Sequence, residues 1–342
     1  MAGMELRALA RGGVLLTSAA LEAGWAGRTL TRRLRSEGWV RLRAGAWGEP
    51  GRRPDLPIRL LAVQLLKPGL VVSHRSAAAL WRIETLTPAR GAHTLHFTDP
   101  GLTLRREGTG VRVHRMPLAA GEIAVRRGLR VTHVNRTVAD LLRAGGPTDD
   151  ALVAVESALT RRTVGQVRRA PLTTAAALAA ELEAPLLGAS RARGRLKLVD
   201  PGAGSPAETV ARLRLHDAGL RPESQVELRT PDGRRRFLDF LFRAEGLAVE
   251  IEGYAYHGSR EAHRRDIDRF NQVLQCPGVR LLLRYTAADV FRRPERMVEE
   301  IRAALSQLPP TVAHRPRSSP FTTFPLALRG SSATKSTSRG TL

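Results

Sequence analysis

Cysteine is nearly missing from this chain. Cys276 is the only one, which excludes a disulfide framework and a cysteine-based zinc site. Long apolar runs are missing too. No stretch approaches the roughly 20 residues of a membrane span, and the opening MAGMELRALARGG lacks the apolar core of a signal peptide. No membrane association is expected, and a bacterial-type cytoplasmic protein is the default. Acidic residues are scarce: 32 Asp and Glu face 55 Lys and Arg, for a formal net charge of +23. That imbalance says nothing about fold but favours a polyanionic partner. Most of the positive charge is arginine, which pairs with phosphate bidentately. A GC-rich genome, signalled by abundant Ala, Gly and Pro, is a second source of the same excess. At 342 residues the chain has room for about two or three domains.

What is present centres on residues 237–257, FLDFLFRAEGLAVEIEGYAYH. The pattern predicts a β-hairpin: a β-favouring run, a turn at Ala244-Glu245-Gly246, then alternating apolar and acidic residues. Alternation sets Glu250 and Glu252 on one face. A turn centred on Ala244-Glu245 sets Asp239 directly across from Glu250. Cross-strand partners stand about 5 Å apart, so the two carboxylates repel unless something compensates them. A hard divalent cation is one such reason, since Mg²⁺ is held by one or two carboxylates plus water. The bland alternative is an edge hairpin with an acidic, solvated face. His257 follows just past the second strand, where it can serve as a base.

Asp239, Glu250-Ile251-Glu252-Gly253 and His257-Gly258 together resemble the core of the Vsr-like endonucleases, a branch of the PD-(D/E)XK nuclease superfamily. The similarity runs over residues 205–305. It implies a mixed sheet flanked by helices, Mg²⁺ as cofactor, Asp239 and Glu250 as metal ligands and His257 in proton transfer. It also implies hydrolysis of phosphodiester bonds. The superfamily often carries Lys two residues after the second acid; here that position is Glu252, and Vsr-like members commonly lack the Lys. Ser205-Pro206-Ala207-Glu208 opens a helix, with Ser as N-cap, Pro at N1 and Glu at N3 completing a capping box. In the superfamily an acid on this helix often joins the metal site, so Glu208 has two candidate jobs. After the hairpin, residues 260–275 read as a helix with an apolar stripe of Ile267, Phe270 and Leu274. Arg264, Arg265, Asp266 and Arg269 lie off that stripe. An Arg-Arg-Asp cluster of this kind flanks the active site in the Vsr-like relatives. The local alternative is an i, i+3 ion pair between Asp266 and Arg269. Residues 279–285 read as a buried strand, with Arg284 aimed toward the carboxylate face, and a last helix closes the domain.

Residues 1–55 read as a small winged helix. Thr17 or Ser18 caps a first short helix. A second carries Leu30 and Leu34 inward and Arg28, Arg32, Arg33 and Arg35 outward. A two-stranded wing with Arg41 and Arg43 follows. A helix-turn-helix sets its second helix in the DNA major groove, where Arg reaches phosphate or guanine. This arrangement resembles the N-terminal DNA-binding domain of AbiEi-type antitoxins of type IV toxin–antitoxin systems, and the resemblance continues through Ser73-His74-Arg75-Ser76-Ala77-Ala78-Ala79-Leu80-Trp81. It implies repression of the protein's own operon and carries a cognate toxin as a candidate partner.

Residues 56–187 read as a mixed α/β middle region. His74 and Arg75 open one of its helices, where an anion can bind, but a polar helix start is the favoured reading. His96 and His114 lie on two strands with no third His or carboxylate spaced to complete a metal site, so both are expected to be ordinary strand residues. Asn135 is read as a helix cap. Residues 188–204 are read as a linker, and residues 309–342, without an acid, as a disordered basic tail. The fold class is α/β (α+β overall). The candidate catalytic set is Asp239, Glu250, His257, Glu252 and Glu208. The candidate DNA contacts are Arg28, Arg32, Arg33, Arg35, Arg41, Arg43, Arg264 and Arg265. Two functions compete: a Mg²⁺-dependent DNA endonuclease guided by a winged helix, and an antitoxin-like regulator whose nuclease-like domain is inactive.

Overall fold

The computed structural model describes residues 5–86, 94–101, 110–252 and 260–310, with backbone only at 260, 262, 263 and 265. His257 and the segment read as a tail beyond residue 310 lie outside them. The fold is α/β. Three sheets with flanking helices follow one another along the chain, joined by a small hairpin.

The first unit comprises β1 (Val14–Leu16), α1 (Thr17–Glu22), α2 (Gly27–Ser36), β2 (Val40–Arg43) and β3 (Ala46–Gly48). The expected wing is β2–β3, and β1 joins it as a third strand in the order β1-β3-β2. Leu30 and Leu34 are buried with Leu15, Trp39 and Trp47, so the apolar face of α2 does point inward. No side chain caps α1: Leu16 occupies the N-cap position and Thr17 is already helical. Strand β1 runs straight into the helix and leaves no residue for a cap.

The middle unit begins with α3 (Leu56–Leu66), whose Ile58 and Ala62 close over Val14 and Ala46 of the first unit. Its mixed sheet has the order β6-β5-β4-β8-β7, from β4 (Val71–Val72), β5 (Leu95–Asp99), β6 (Val111–Arg115), β7 (Ile123–Arg126) and β8 (Leu129–Thr132). Helices α4 (His74–Trp81), α5 (Val134–Arg143) and α6 (Thr148–Leu159) pack behind it. Asn135 is not the cap of α5. His133 holds that position, and Asn135 Oδ1 instead accepts from the Thr173 hydroxyl at 2.5 Å. A hairpin, β9 (Arg162–Val164) and β10 (Val167–Arg169), precedes α7 (Ala175–Glu181).

The segment read as a linker is not a free tether. It contains α8 (Ala189–Leu196), and Ala192 is buried beneath α5. Arg195 donates to the Leu142 and Ala144 carbonyls at 2.9 and 2.8 Å. Arginines that read as linker polarity are consumed in closing off helix ends, because the last carbonyls of a helix need donors.

The last unit comprises α9 (Pro206–Asp217), β11 (Glu223–Arg229), β12 (Arg235–Phe242), β13 (Leu247–Glu252), α10 (Arg260–Leu274), β14 (Leu281–Thr286), α11 (Ala287–Arg292) and α12 (Pro294–Gln307). The sheet order is β11-β12-β13-β14. The first three strands are antiparallel, and α10 crosses over to make β14 parallel to β13. Helices α9, α11 and α12 cover one face through Val210, Val290 and Ile301, while α10 covers the other through Val273. The expected stripe on α10 is turned. Ile267 is 47% exposed and Leu274 38%, and Phe270 and Val273 face the sheet. Phe270 of the expected stripe thus buries, and Val273, one position before Leu274, shares its face in place of Ile267 and Leu274.

Candidate active site

The acidic hairpin occupies the two central strands of the last sheet, which rules out an edge hairpin with a solvated acidic face. Glu250 is 9% exposed. The register is Phe240↔Val249, Leu241↔Ala248 and Phe242↔Leu247, so one step further on the ladder sets Asp239 across from Glu250. Gly246 fixes that register at the turn. Its φ is +68°, and a Cβ there would stand 2.9 Å from the Gly278 carbonyl oxygen, so only glycine fits without strain.

Asp239 does not continue the ladder through its backbone. Its Oδ2 accepts from the Ile251 N–H at 2.7 Å, and its Oδ1 accepts from Gln225 Nε2 at 3.0 Å. The same Gln225 Nε2 donates to Glu208 Oε2 at 2.9 Å. One amide thereby ties the acid of α9 to the acid of β12. Nothing in the polar start of β11 marked Gln225 in the sequence. Its backbone carries the signal instead: φ is +48° in the middle of a strand, a conformation that L-residues rarely adopt and that recurs at functional sites.

Glu208 does the first of its two expected jobs in part, and its side chain is turned toward the hairpin acids. Ser205 Oγ accepts from the Glu208 N–H at 3.2 Å, as an N-cap should. The glutamate does not return to the Ser205 N–H. Its Oε2 accepts from Gly204, one residue earlier, at 2.6 Å. Half of the capping box is therefore present, and the other half is shifted so that the carboxylate also reaches Gln225. Burial raises the Glu208 pKa, opposed by the Gly204 N–H, by Ser205 and by the field of buried Arg162 on β9.

The electrostatic centre is Asp239. Burial pushes its pKa up to about 7, with Glu208 and then Glu250 adding to the rise; the Ile251 and Gln225 hydrogen bonds oppose it. Glu250 Oε1 accepts from Arg269 Nη2 at 2.9 Å. Glu252 pairs with Arg284, which also donates to Asp266 Oδ2 at 2.5 Å and lies over the Phe270 ring. Arg284 thus points to the carboxylate face as expected. The local Asp266–Arg269 pair does not form: Asp266 goes to β14 and Arg269 to β13. Among the described residues, no group of three or more His, Cys, Asp or Glu could hold a metal ion. The donor chemistry nonetheless suits Mg²⁺, which needs only one or two carboxylates and keeps its waters, and the negative charge around Asp239 is in excess.

Of the candidate DNA contacts, Arg28, Arg32, Arg33, Arg35 and Arg41 are exposed along α2 and β2, Arg43 is partly exposed, and Arg264 is exposed on α10. Arg33 is bound to Glu37. The side chain of Arg265 lies outside the described residues. Arg75 is engaged elsewhere, with Asp150 and with the Leu86 carbonyl at 2.6 Å, so it holds α4 to the start of α6 and is not an open anion site.

The fold brings a third histidine to His96 and His114 that sequence spacing gave no reason to expect. His74, at the start of α4, stacks on His114 with ring centroids 3.5 Å apart and planes 12° apart. His96 Nδ1 lies 3.0 Å from His114 Nε2. Burial holds His96 and His114 at about 4, and His74 is lowered as well. His74 and His114 thus pack face to face while His96 meets His114 through ring nitrogens, and the lowered values leave the trio neutral.

Among the described residues, no helix is long and apolar enough to cross a membrane. Comparison with protein-family models and with curated proteins finds no match to this chain.

Proposed function

We propose that this chain is a DNA-binding protein whose last sheet carries a Mg²⁺-dependent endonuclease centre of the Vsr-like, PD-(D/E)XK kind. One observation carries the reading: the acids Glu208, Asp239 and Glu250 converge on a buried spot where neutral donors leave Asp239 raised to about 7. Such an excess of buried negative charge is costly in a purely structural role and is characteristic of functional sites. A bound divalent cation supplies polarisation of a phosphoryl oxygen and an activated water. Asp239 and Glu250 would hold it, and Gln225 orients Asp239 against Glu208. His257 moves the proton of the attacking water. Exposed arginines on α2 and β2 bind the phosphate backbone as the recognition helix and wing of a winged-helix module, and Arg264, exposed on α10, is a further phosphate contact, with Arg265 the second candidate from the same stretch of sequence. Nicking of supercoiled plasmid by the purified protein with Mg²⁺, absent with EDTA and absent in Asp239→Asn, is the expected result.

One feature favours a second reading, an AbiEi-like regulator with an inactive nuclease-like domain and a toxin partner. Glu252 stands where the superfamily often has Lys, and it is bound by Arg284. On that reading the protein binds duplex DNA but leaves plasmid intact at every Mg²⁺ concentration.

A further inference from the structure

The three acids differ in what neutralises them. Asp239 is held by the Ile251 N–H and the Gln225 amide, both uncharged. Glu208 is held by the Gly204 N–H and the same amide. Glu250 alone is hydrogen-bonded to a cation, Arg269 Nη2 at 2.9 Å. Among the described residues that nitrogen has one other partner, the Phe237 carbonyl at 3.2 Å. The two ends of the pair are unequal: the Glu250 side chain is 12% exposed and the Arg269 side chain 46%. The acid is therefore fixed in the sheet, and the Arg269 side chain reaches it from α10 with nearly half of that side chain's surface in solvent. Arg284 provides the contrast. It is bound by two acids, Glu252 and Asp266, with its guanidinium over Phe270, and it is a fixed part of the structure.

We infer that Arg269 is an exchangeable counter-ion. It holds Glu250 when no divalent cation is bound, the cation expels it, and its charge passes to a backbone phosphate of the bound nucleic acid. The inference rests on the proposed nuclease reading. Its physical basis is that a divalent cation on Glu250 repels a guanidinium at hydrogen-bonding distance from the same carboxylate. The long, half-exposed side chain has solvent to swing into, and among the described residues one longer hydrogen bond to a carbonyl holds it back. A guanidinium freed beside the acids is matched in shape to the phosphate that must lie there.

An exchangeable ion and a structural ion pair give opposite signs. In the full-length protein, calorimetric titration with Mg²⁺ alone and with Ca²⁺ alone should show Arg269→Gln binding the cation about three- to tenfold more tightly, because a competing partially exposed pair is gone. The same variant, with Ca²⁺ present, should bind duplex DNA more weakly, and its slope of log affinity against log salt should fall by about one phosphate contact. Arg269→Lys should restore part of the DNA affinity. Cation binding that is unchanged or weaker in Arg269→Gln, or an unchanged salt slope, overturns the exchange. Wild-type protein that binds no cation, or binds it equally in Asp239→Asn, overturns the nuclease centre itself, and the exchange with it.

Discussion

Replacing Asp239 with Asn should make the cation-free protein more stable, and increasingly so as pH rises. The sign follows from the raised pKa. An ordinary aspartate titrates near 3.8 and this one near 7, so between those values the folded state keeps a proton that the unfolded chain has released. Stability then falls as pH rises through that window, and the full penalty is present above about pH 7. Three pH units correspond to roughly 4 kcal/mol. Glu208 shares the same field, so a single substitution recovers about half of it, ~2 kcal/mol. The asparagine carbonyl can still accept from the Ile251 N–H. Its amide nitrogen, however, faces the Gln225 amide nitrogen, which must turn or lose a partner. That costs about 1 kcal/mol at every pH.

The two terms separate by pH. Near pH 4 both proteins carry a neutral group at 239, and the variant should be level or slightly less stable. Near pH 8 it should be more stable by on the order of 1 kcal/mol, a rise in melting temperature of roughly 1–2 °C for a chain of this size. Millimolar Mg²⁺ should raise the wild-type melting temperature at pH 8 and leave Asp239→Asn unchanged. Thermal melts at pH 5, 6, 7 and 8, with and without Mg²⁺, measure all of this. Parallel stability–pH curves for the two proteins would refute the claim that Asp239 carries an uncompensated charge.

Gln225→Leu removes the donor shared by Asp239 and Glu208; it should lower stability by roughly 1–3 kcal/mol and reduce nicking, measured by melts and plasmid assay on one preparation. Changing Arg28, Arg32 and Arg41 together to Gln should leave the melting temperature within about 1 °C, since all three are exposed. The same triple variant should reduce the salt slope of duplex binding by roughly 0.9 per lost phosphate contact; a slope equal to wild type removes these residues from the interface. His257→Ala should slow nicking by about a hundred- to ten-thousand-fold and erase the limb of the pH–rate profile near the usual histidine value of about 6.5. An unchanged profile at near-normal rate ends the proton-transfer role.

Much of the acidic hairpin was legible because its determinants are local. A four-residue turn, 243–246, and the alternation after it fix which residues oppose which, and the register Phe240↔Val249 follows directly. Leu30 and Leu34 were legible for the same reason, being one turn apart on a short helix. Gln225 was not, because its role depends on where α9 and β12 meet, and its positive φ leaves no trace in residue type. The third histidine was invisible on similar grounds: His74 is 22 positions before His96, and only the pairing of β4, β5 and β6 with the start of α4 gathers them. The helix α8 was hidden by composition, since Gly, Arg and Ala read as linker until Arg195 is seen donating to the end of α5.

The contact between α6 and α9 changes what the middle region is for. Glu156 of α6 is fully buried; it accepts from Arg212 Nη2 at 2.5 Å, from the Thr209 hydroxyl at 2.6 Å and from the Asp200 N–H at 2.8 Å. Val153, one turn earlier, enters the apolar core of the last unit. A buried ion pair is weak evidence for stability, since a well-packed apolar replacement is often as good. Its value here is geometric. Thr209 and Arg212 lie on one face of α9, three residues apart, so anchoring both to a single carboxylate fixes the helix's rotation and its height above the sheet. Glu208 is the residue next to Thr209, and its reach to Gln225 and hence to Asp239 depends on that rotation. The middle region is therefore part of the body that shapes the acid cluster, and a separately expressed last unit would lack the groups that hold Glu208 where Gln225 can meet it.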